Sequence, residues 1–164
     1  MKRNILALFL ASGLIFSCSK DDNKTETEQN AIVGEWQATE LQINDQTASD
    51  DAKFGKQILD FLTAKDCFIL TFNFKEDLTV TAENSANFLS INATATGLDV
   101  PCPTEFDTET STYTYDGSVL TTIDDNGQTV KLDVTINGDI MTVDATDLDI
   151  DNFNDEGQLI FKKI

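Results

Sequence analysis

The sequence contains no histidine. This absence removes the side chain that most often acts as a general base near neutral pH, and also the commonest metal ligand. A Ser-His-Asp or Cys-His nucleophilic system therefore cannot be assembled within the chain. Acidic side chains are plentiful, but no pair of carboxylates stands out by its spacing or by apolar surroundings that would separate their pKa values. We therefore predict a protein that is not an enzyme and that uses no cofactor.

Basic residues are scarce as well. The chain of 164 residues has 11 Lys and Arg against 29 Asp and Glu, a formal net charge of −18. Such a surface repels the phosphates of nucleic acids and anionic lipid head groups, so a nucleic-acid partner is excluded. The charge favours solubility but does not identify a partner.

Long apolar runs are missing, apart from a short one near the start. The run Ile5–Ser17 follows Lys2 and Arg3, ends in a small residue and is shorter than the roughly 20 residues that a membrane-spanning helix needs. This order is typical of a cleaved signal peptide over residues 1–17. The polar residues 18–30 predict a flexible tether, and residues 31–164 predict one folded domain. Loss of the leader leaves 9 basic residues and 29 acidic ones, a formal charge of about −20.

The end of the leader carries a resemblance. Ile15-Phe16-Ser17-Cys18 resembles the lipobox of bacterial lipoproteins, which implies that Cys18 becomes the lipidated first residue of the mature chain. Ser19-Lys20-Asp21-Asp22 resembles the acidic export tag of Bacteroidota surface lipoproteins, which implies a lipid anchor in the outer membrane and exposure at the cell surface. The alternatives are an ordinary signal peptide with a cysteine nearby, or a retained membrane anchor.

Two cysteines remain for the folded domain, Cys67 and Cys102. An exported chain matures in an oxidising compartment, so we predict a structural disulfide between them. A reactive thiol or a metal-binding pair is the alternative, although neither a histidine nor a CxxC spacing supports it.

One helix is predicted over residues 50–65. Ser49 is a good N-cap, and Asp50 and Asp51 suit the positive end of the helix dipole. Four apolar residues fall on one helical face: Phe54, Ile58, Phe61 and Leu62.

The rest of the domain predicts β-strands, because apolar and polar residues alternate in several runs. Asp116-Gly117, Asn126-Gly127 and Asn137-Gly138 separate three of these runs and predict type I′ hairpin turns. Consecutive hairpins of this kind favour an all-β, antiparallel up-and-down barrel of about eight strands. Residues 84–110 are less regular, and Pro101-Cys102-Pro103 predicts a long loop held against the barrel by the disulfide.

Several of these residues also resemble a known family. Gly34-Glu35-Trp36 on the predicted first strand resembles the Gly-x-Trp signature of lipocalins. Cys67, the strand containing Thr71-Phe72-Asn73, and then Cys102 resemble the lipocalin-like domains of bacterial lipoproteins. The resemblance implies a barrel in which a basic residue of the last strand, Lys162 or Lys163, packs across Trp36. The helix follows the first strand here, rather than preceding the last, and the final basic residue is Lys rather than Arg.

These features predict a membrane-anchored, lipocalin-like lipoprotein that binds a small apolar ligand in or at the mouth of its barrel. The candidate ligand-binding residues are Trp36, Phe72, Tyr113 and Tyr115. Alternatively Trp36 plugs the closed end and the aromatic residues fill the core. A second hypothesis is an accessory protein of a cell-envelope complex that acts through its loops.

Calcium binding is an open alternative at the acidic residues near the C-terminus. The Asp147-x-Asp149-x-Asp151 spacing, with Asp155 and Glu156 behind it, partly fits an EF-hand loop. The pattern fails at Asn152 and Gln158, where an EF-hand needs Gly and Glu, so we predict no metal site.

Overall fold

The computed structural model describes residues 30–95, 97–124, 126–148 and 155–164. The alternation of apolar and polar residues gives strands that bury one face each. These strands close into an antiparallel barrel in the order β1-β10-β9-β8-β7-β6-β3-β2. The predicted all-β, antiparallel up-and-down barrel of about eight strands is confirmed. The elements are β1 Gly34–Ile43, α1 Asp50–Thr63, β2 Leu70–Phe74, β3 Thr79–Asn84, a 3₁₀ turn Ala86–Phe88, β4 Asn92–Thr94, β5 Gly97–Asp99, β6 Asp107–Tyr115, β7 Val119–Ile123, β8 Thr129–Asn137, β9 Ile140–Asp144 and β10 Gly157–Lys163.

The two ends of the barrel differ in their connections. One end, called the closed end, carries the tight turns β2–β3, β6–β7 and β8–β9, the start of β1 and the C-terminus. The other end, called the mouth, carries α1, the long connection between β3 and β6, and the connections β7–β8 and β9–β10. Loops of this length are the usual place for binding residues on a rigid scaffold.

Helix α1 begins where its sequence predicts. The Ser49 hydroxyl accepts a hydrogen bond from the Ala52 backbone N–H at 3.1 Å, which satisfies one of the free amide groups of the first turn. The prediction of its buried face is partly wrong. Ile58 and Leu62 are buried, but Phe54 and Phe61 stay exposed, and Leu59 packs into the barrel core in their place.

The hairpins form at the predicted places, but not with the predicted turn type. A type I′ turn needs positive φ at both central residues. Among the described residues, positive φ outside glycine occurs at Asp66 and Leu78 only. Strand β8 pairs with β9 up to Asn137 and Ile140, so the two-residue loop is Gly138-Asp139 with positive φ at Gly138. Glycine at the first central position suits a type II′ turn instead.

The connection between β3 and β6, residues 85–106, forms an insertion outside the barrel. It contains the short β4–β5 hairpin, and the predicted disulfide Cys67–Cys102 fastens it near α1. A second apolar cluster lies there, separate from the barrel core, and consists of Ile58, Leu62, Cys67 and Val100. The insertion is therefore packed on the helix and cross-linked to the segment that follows it.

The leader, Cys18 and most of the tether lie outside the described residues. Among the residues that are described, no helix combines the length and apolar composition needed to cross a bilayer.

Candidate functional site

Trp36 plugs the closed end. Its side chain is fully buried, and its indole Nε1 donates a 2.7 Å hydrogen bond to the carbonyl of Ile32 in the helical turn 30–32. The ammonium of Lys163, on the last strand, lies 5.0 Å from the centroid of the Trp36 ring. This cation–π contact contributes about 0.5–1 kcal/mol when exposed. The closed end is thus sealed by the turn, the indole and the lysine.

Gly34 makes this packing possible. Its φ is +132°, and a Cβ placed on it would meet Lys163 Cε at 2.5 Å. The glycine therefore serves two purposes: it adopts a backbone conformation that other residues rarely reach, and it leaves room for the lysine over the indole.

We expect Gly34→Ala to lower the free energy of unfolding by about 1–3 kcal/mol, because alanine is strained at this φ and also displaces Lys163. Gly97→Ala is the matched control: Gly97 has φ +134°, and a Cβ added to it would meet nothing within 4 Å. Urea denaturation of both variants measures the two effects. Equal losses in both variants would show that the contact with Lys163 adds nothing to the backbone strain.

Aromatic residues fill the interior next to the plug. The ring of Phe72 lies 5.1 Å from Phe161 and 5.9 Å from Phe74, and Phe74 makes an edge contact with Tyr113 at 5.0 Å. The Tyr113 hydroxyl donates to the carbonyl of Lys75 at 3.0 Å, and burial raises the pKa of that phenol. This half of the barrel is a packed core rather than a cavity.

Toward the mouth, some inward side chains are only partly buried, although Leu41 and Leu159 there are buried. Strand register places Phe72 on the same inner face as Trp36, yet Phe72 is only half-buried. Ile43, Leu70 and Val130 are likewise packed against the core while remaining partly exposed. Phe72 is the cross-strand neighbour of Trp36 and borders the packed core, yet part of its side chain stays exposed. We call Phe72, Ile43, Leu70 and Val130 the mouth cup.

One wall above the cup carries hydroxyl groups. Ser111 and Thr122 share the inner face with Tyr113 and Val130, according to the strand register. The Ser111 hydroxyl donates to the carbonyl of Ile123 at 2.7 Å, and that of Thr122 to the carbonyl of Thr112 at 3.1 Å. Both hydroxyls therefore have backbone partners, and the wall is only weakly polar.

The rim of the mouth is polar and acidic. An open depression of about 650 Å³ lies at the mouth, where β1 and β9 end and β10 begins. Its lining joins one cup residue to amides and carboxylates: Gln42, Ile43, Asn44, Asp144, Thr146, Glu156, Gly157 and Gln158. The strand register places Gln42, Asp144 and Gln158 on the outer face of the barrel wall, next to inward neighbours. Thr146 donates to Asp144 through its hydroxyl at 2.7 Å and its backbone N–H at 2.9 Å, and these bonds lower the pKa of Asp144. The rim is therefore anionic at neutral pH.

Three of the four predicted ligand-binding residues lie away from the mouth. Trp36, Tyr113 and Tyr115 are buried toward the closed end, and only Phe72 reaches the cup. Their contact with a ligand stays a prediction. Sequence reasoning missed Ile43, Leu70 and Val130, because strand alternation shows which residues face inward but not how deep they lie.

The acidic residues near the C-terminus make internal contacts where they are described. Asp147 accepts a hydrogen bond from the Asp133 N–H at 2.9 Å, and Asp155 accepts two from Ser49 at 2.6 and 2.8 Å. Asp149 and Asp151 lie outside the described residues. Within the described ranges, no three Asp, Glu or Cys residues are grouped closely enough to hold a metal ion.

No protein-family model matches the chain, and neither does any curated protein. Among solved structures, the chain is similar to a lipocalin-like protein from Bacteroides uniformis ATCC 8492, with 14% sequence identity and a TM-score of 0.41. That match covers 82% of this chain and 99% of the other. The barrel architecture is established by the strand order of this chain, not by that likeness.

Proposed function

We propose that this protein is a lipid-anchored, non-enzymatic surface lipoprotein whose barrel binds a small apolar ligand at the mouth. Lipid on Cys18 would hold it in the outer membrane, facing the medium. The tether connects to the closed end, because β1 begins there. The mouth would then point away from the membrane, toward ligands in the surroundings.

The half-buried state of Phe72 carries the ligand-binding part of this proposal. An inward aromatic side chain of the barrel would be fully buried if the interior on its mouth side were completely packed. Ligand sites are typically concave and apolar, with a few polar groups at the edge, and the mouth cup with its polar rim has this arrangement.

The charges around the mouth suggest which ligands fit. The depression at the rim contains Asp144 and Glu156 and no basic residue. A carboxylate or phosphate on the ligand would be repelled there, whereas a neutral polar group would not be. We therefore propose a neutral amphiphile rather than a fatty acid.

A matched pair of fluorescent probes tests the ligand class. 11-(Dansylamino)undecanoic acid and its methyl ester share one apolar body and differ at the carboxyl group, which is ionised in the acid and methylated in the ester. We expect the ester to bind at least tenfold more tightly than the acid in a fluorescence titration. Equal affinities would contradict the neutral preference, and no binding of either probe would contradict the ligand site.

Two neighbouring residues locate the site. Leu70→Gln removes apolar surface from the cup and is expected to weaken binding of the ester about tenfold, on the basis of the cost of losing one buried aliphatic contact. Thr71→Gln is the control, because alternation places Thr71 on the outer face of the same strand. An equal loss in both variants would place the probe elsewhere.

The anchor has its own test. We expect Cys18→Ser to abolish labelling with radioactive palmitate and to release the protein from the membrane fraction. External protease should degrade the unmodified protein on intact cells if it faces the medium. Retention of Cys18→Ser in membranes would contradict lipid anchoring, and complete protection from protease would contradict surface exposure.

The second candidate function, an accessory role in a cell-envelope complex, is supported by a different observation. The insertion carries exposed apolar residues, Ile91, Leu98 and Phe106, that neither the barrel core nor the helix cluster covers. A stable partner that copurifies through membrane extraction would favour this role.

A further inference from the structure

Four apolar side chains of the insertion, which lies outside the mouth cup, are exposed or half-buried: Phe88, Ile91, Leu98 and Phe106. We call this part of the insertion the insertion face. Phe88 is half-buried, while the other three are 43%, 47% and 52% exposed. A concentration of exposed apolar side chains on a soluble domain is typical of an interaction surface.

The insertion face has a groove beside it. A depression of about 290 Å³ is lined by Phe88, Pro101, Pro103 and Glu105, together with the disulfide residue Cys102. The Asn87 amide donates a 3.0 Å hydrogen bond to Asp107, which fixes the 3₁₀ turn against the start of β6. Aromatic and proline side chains thus form one wall and the rim of a pocket wide enough for a single large side chain.

The hairpin next to the groove is also held in place. Leu98 pairs with Ala93 across β4 and β5, and alternation places Ile91 and Val100 on the same face. Val100 is buried in the helix cluster, and its carbonyl accepts a 3.1 Å hydrogen bond from Lys65 Nζ. The Cys67–Cys102 disulfide adds a covalent link between the insertion and the segment that follows α1. A surface fixed before binding loses little conformational entropy when a partner docks.

The charged side chains around the insertion face are acidic. The sequence has no Lys or Arg between Lys75 and Lys131, while Asp99, Glu105 and Asp107 lie in or beside the insertion. Lys65 lies where the insertion meets the helix. Its ammonium donates to the carbonyl of Val100 and lies 4.2 Å from the centroid of the Phe61 ring. The apolar residues are therefore bordered by carboxylates.

We propose that the insertion face docks a basic segment of a partner protein. A large apolar side chain of that segment would occupy the groove, and flanking Lys or Arg residues would lie against Asp99, Glu105 and Asp107. A second copy of this acidic chain or an anionic membrane would be repelled by the same carboxylates. This inference rests on the accessory role and is independent of ligand binding at the mouth cup.

Two synthetic peptides test the chemistry. Both have the core Leu-Trp-Leu; one is flanked by three Lys on each side and the other by three Glu. Fluorescence anisotropy with labelled peptides and the soluble mature domain measures binding. We expect the lysine peptide to bind and the glutamate peptide not to bind. Binding of both, or of neither, would overturn the proposal.

Matched variants locate the site. We expect Phe106→Ser to weaken binding of the lysine peptide at least tenfold, and Ile140→Ser, an exposed apolar change at the closed end, to have no effect. We expect Glu105→Gln to weaken binding and to reduce its salt dependence, unlike Glu76→Gln at the closed end. Equal effects within either pair would show non-specific attraction to the acidic surface and would overturn the proposal. Titration of the dansyl ester into Phe106→Ser keeps the two proposals distinguishable, because ester binding should be unchanged.

Discussion

Replacing Trp36 with alanine is expected to lower the free energy of unfolding by about 3–5 kcal/mol, the range for removing a fully buried large aromatic side chain. The indole is 0% exposed, and its loss also leaves the Ile32 carbonyl without its donor and the Lys163 ammonium without its ring. Guanidinium chloride denaturation followed by circular dichroism measures the loss, since the variant has no tryptophan left to report unfolding by fluorescence.

Two further variants show how much of the lost unfolding free energy comes from the indole hydrogen bond and how much from the contact with Lys163. Trp36→Phe keeps an aromatic ring but cannot donate to Ile32, so it should cost less than alanine and more than Lys163→Met. Lys163→Met keeps an apolar stem and removes only the charge, which is worth about 0.5–1 kcal/mol over an aromatic ring. A loss below about 1 kcal/mol for Trp36→Ala would contradict the assignment of Trp36 as the plug.

Removing the disulfide is expected to cost about 3–4 kcal/mol. Cys67 and Cys102 are 35 residues apart in sequence, and cross-linking a loop of that length restricts the unfolded chain by roughly this amount in the chain-entropy model. The double variant Cys67→Ala/Cys102→Ala tests the prediction by urea denaturation. Limited proteolysis should cut the insertion first, because the bond fastens it to the helix cluster.

The unmodified protein under reducing conditions provides the control for the double variant. Reductant should lower its stability by a similar amount and leave the double variant unchanged. If the double variant were within about 1 kcal/mol of the unmodified protein, the second apolar cluster alone would hold the insertion.

The barrel could be predicted from sequence because most strands bury one face. In β8, for example, Val130, Leu132, Val134 and Ile136 alternate with polar residues and lie on the inner face. The first half of β6 was not predicted. Its inward positions, Glu109 and Ser111, are polar because they lie at the mouth, so the stretch has no apolar period to detect.

The helix and the disulfide illustrate the difference between local and tertiary signals. The cap at Ser49 is a local interaction, and it forms as predicted. Which helical residues are buried depends on where the barrel and the insertion lie, so Leu59 replaced Phe54 and Phe61 in the interior. The pairing of Cys67 with Cys102 could be predicted because an exported chain matures under oxidising conditions. With Cys18 predicted to carry lipid, these two cysteines are the ones that remain.

The candidate site was the least predictable part. Sequence alternation identified Phe72 as inward, but Trp36, Tyr113 and Tyr115 share that property and are buried near the plug. Depth along the barrel axis depends on strand stagger and on which end the N-terminal turn closes, neither of which a period of two reveals. Residues that share a face can therefore differ between core and cup.

The central claim is that Trp36 closes one end of the barrel and that the mouth cup at the other end binds an apolar ligand. NMR spectra of the labelled mature domain during titration with the dansyl methyl ester test it directly. We predict large shifts for the side chains of Ile43, Leu70 and Val130, and no shift of the single indole N–H resonance, since the chain has one tryptophan. A shifted indole resonance with unchanged cup signals, or no change at saturating ester, would contradict it.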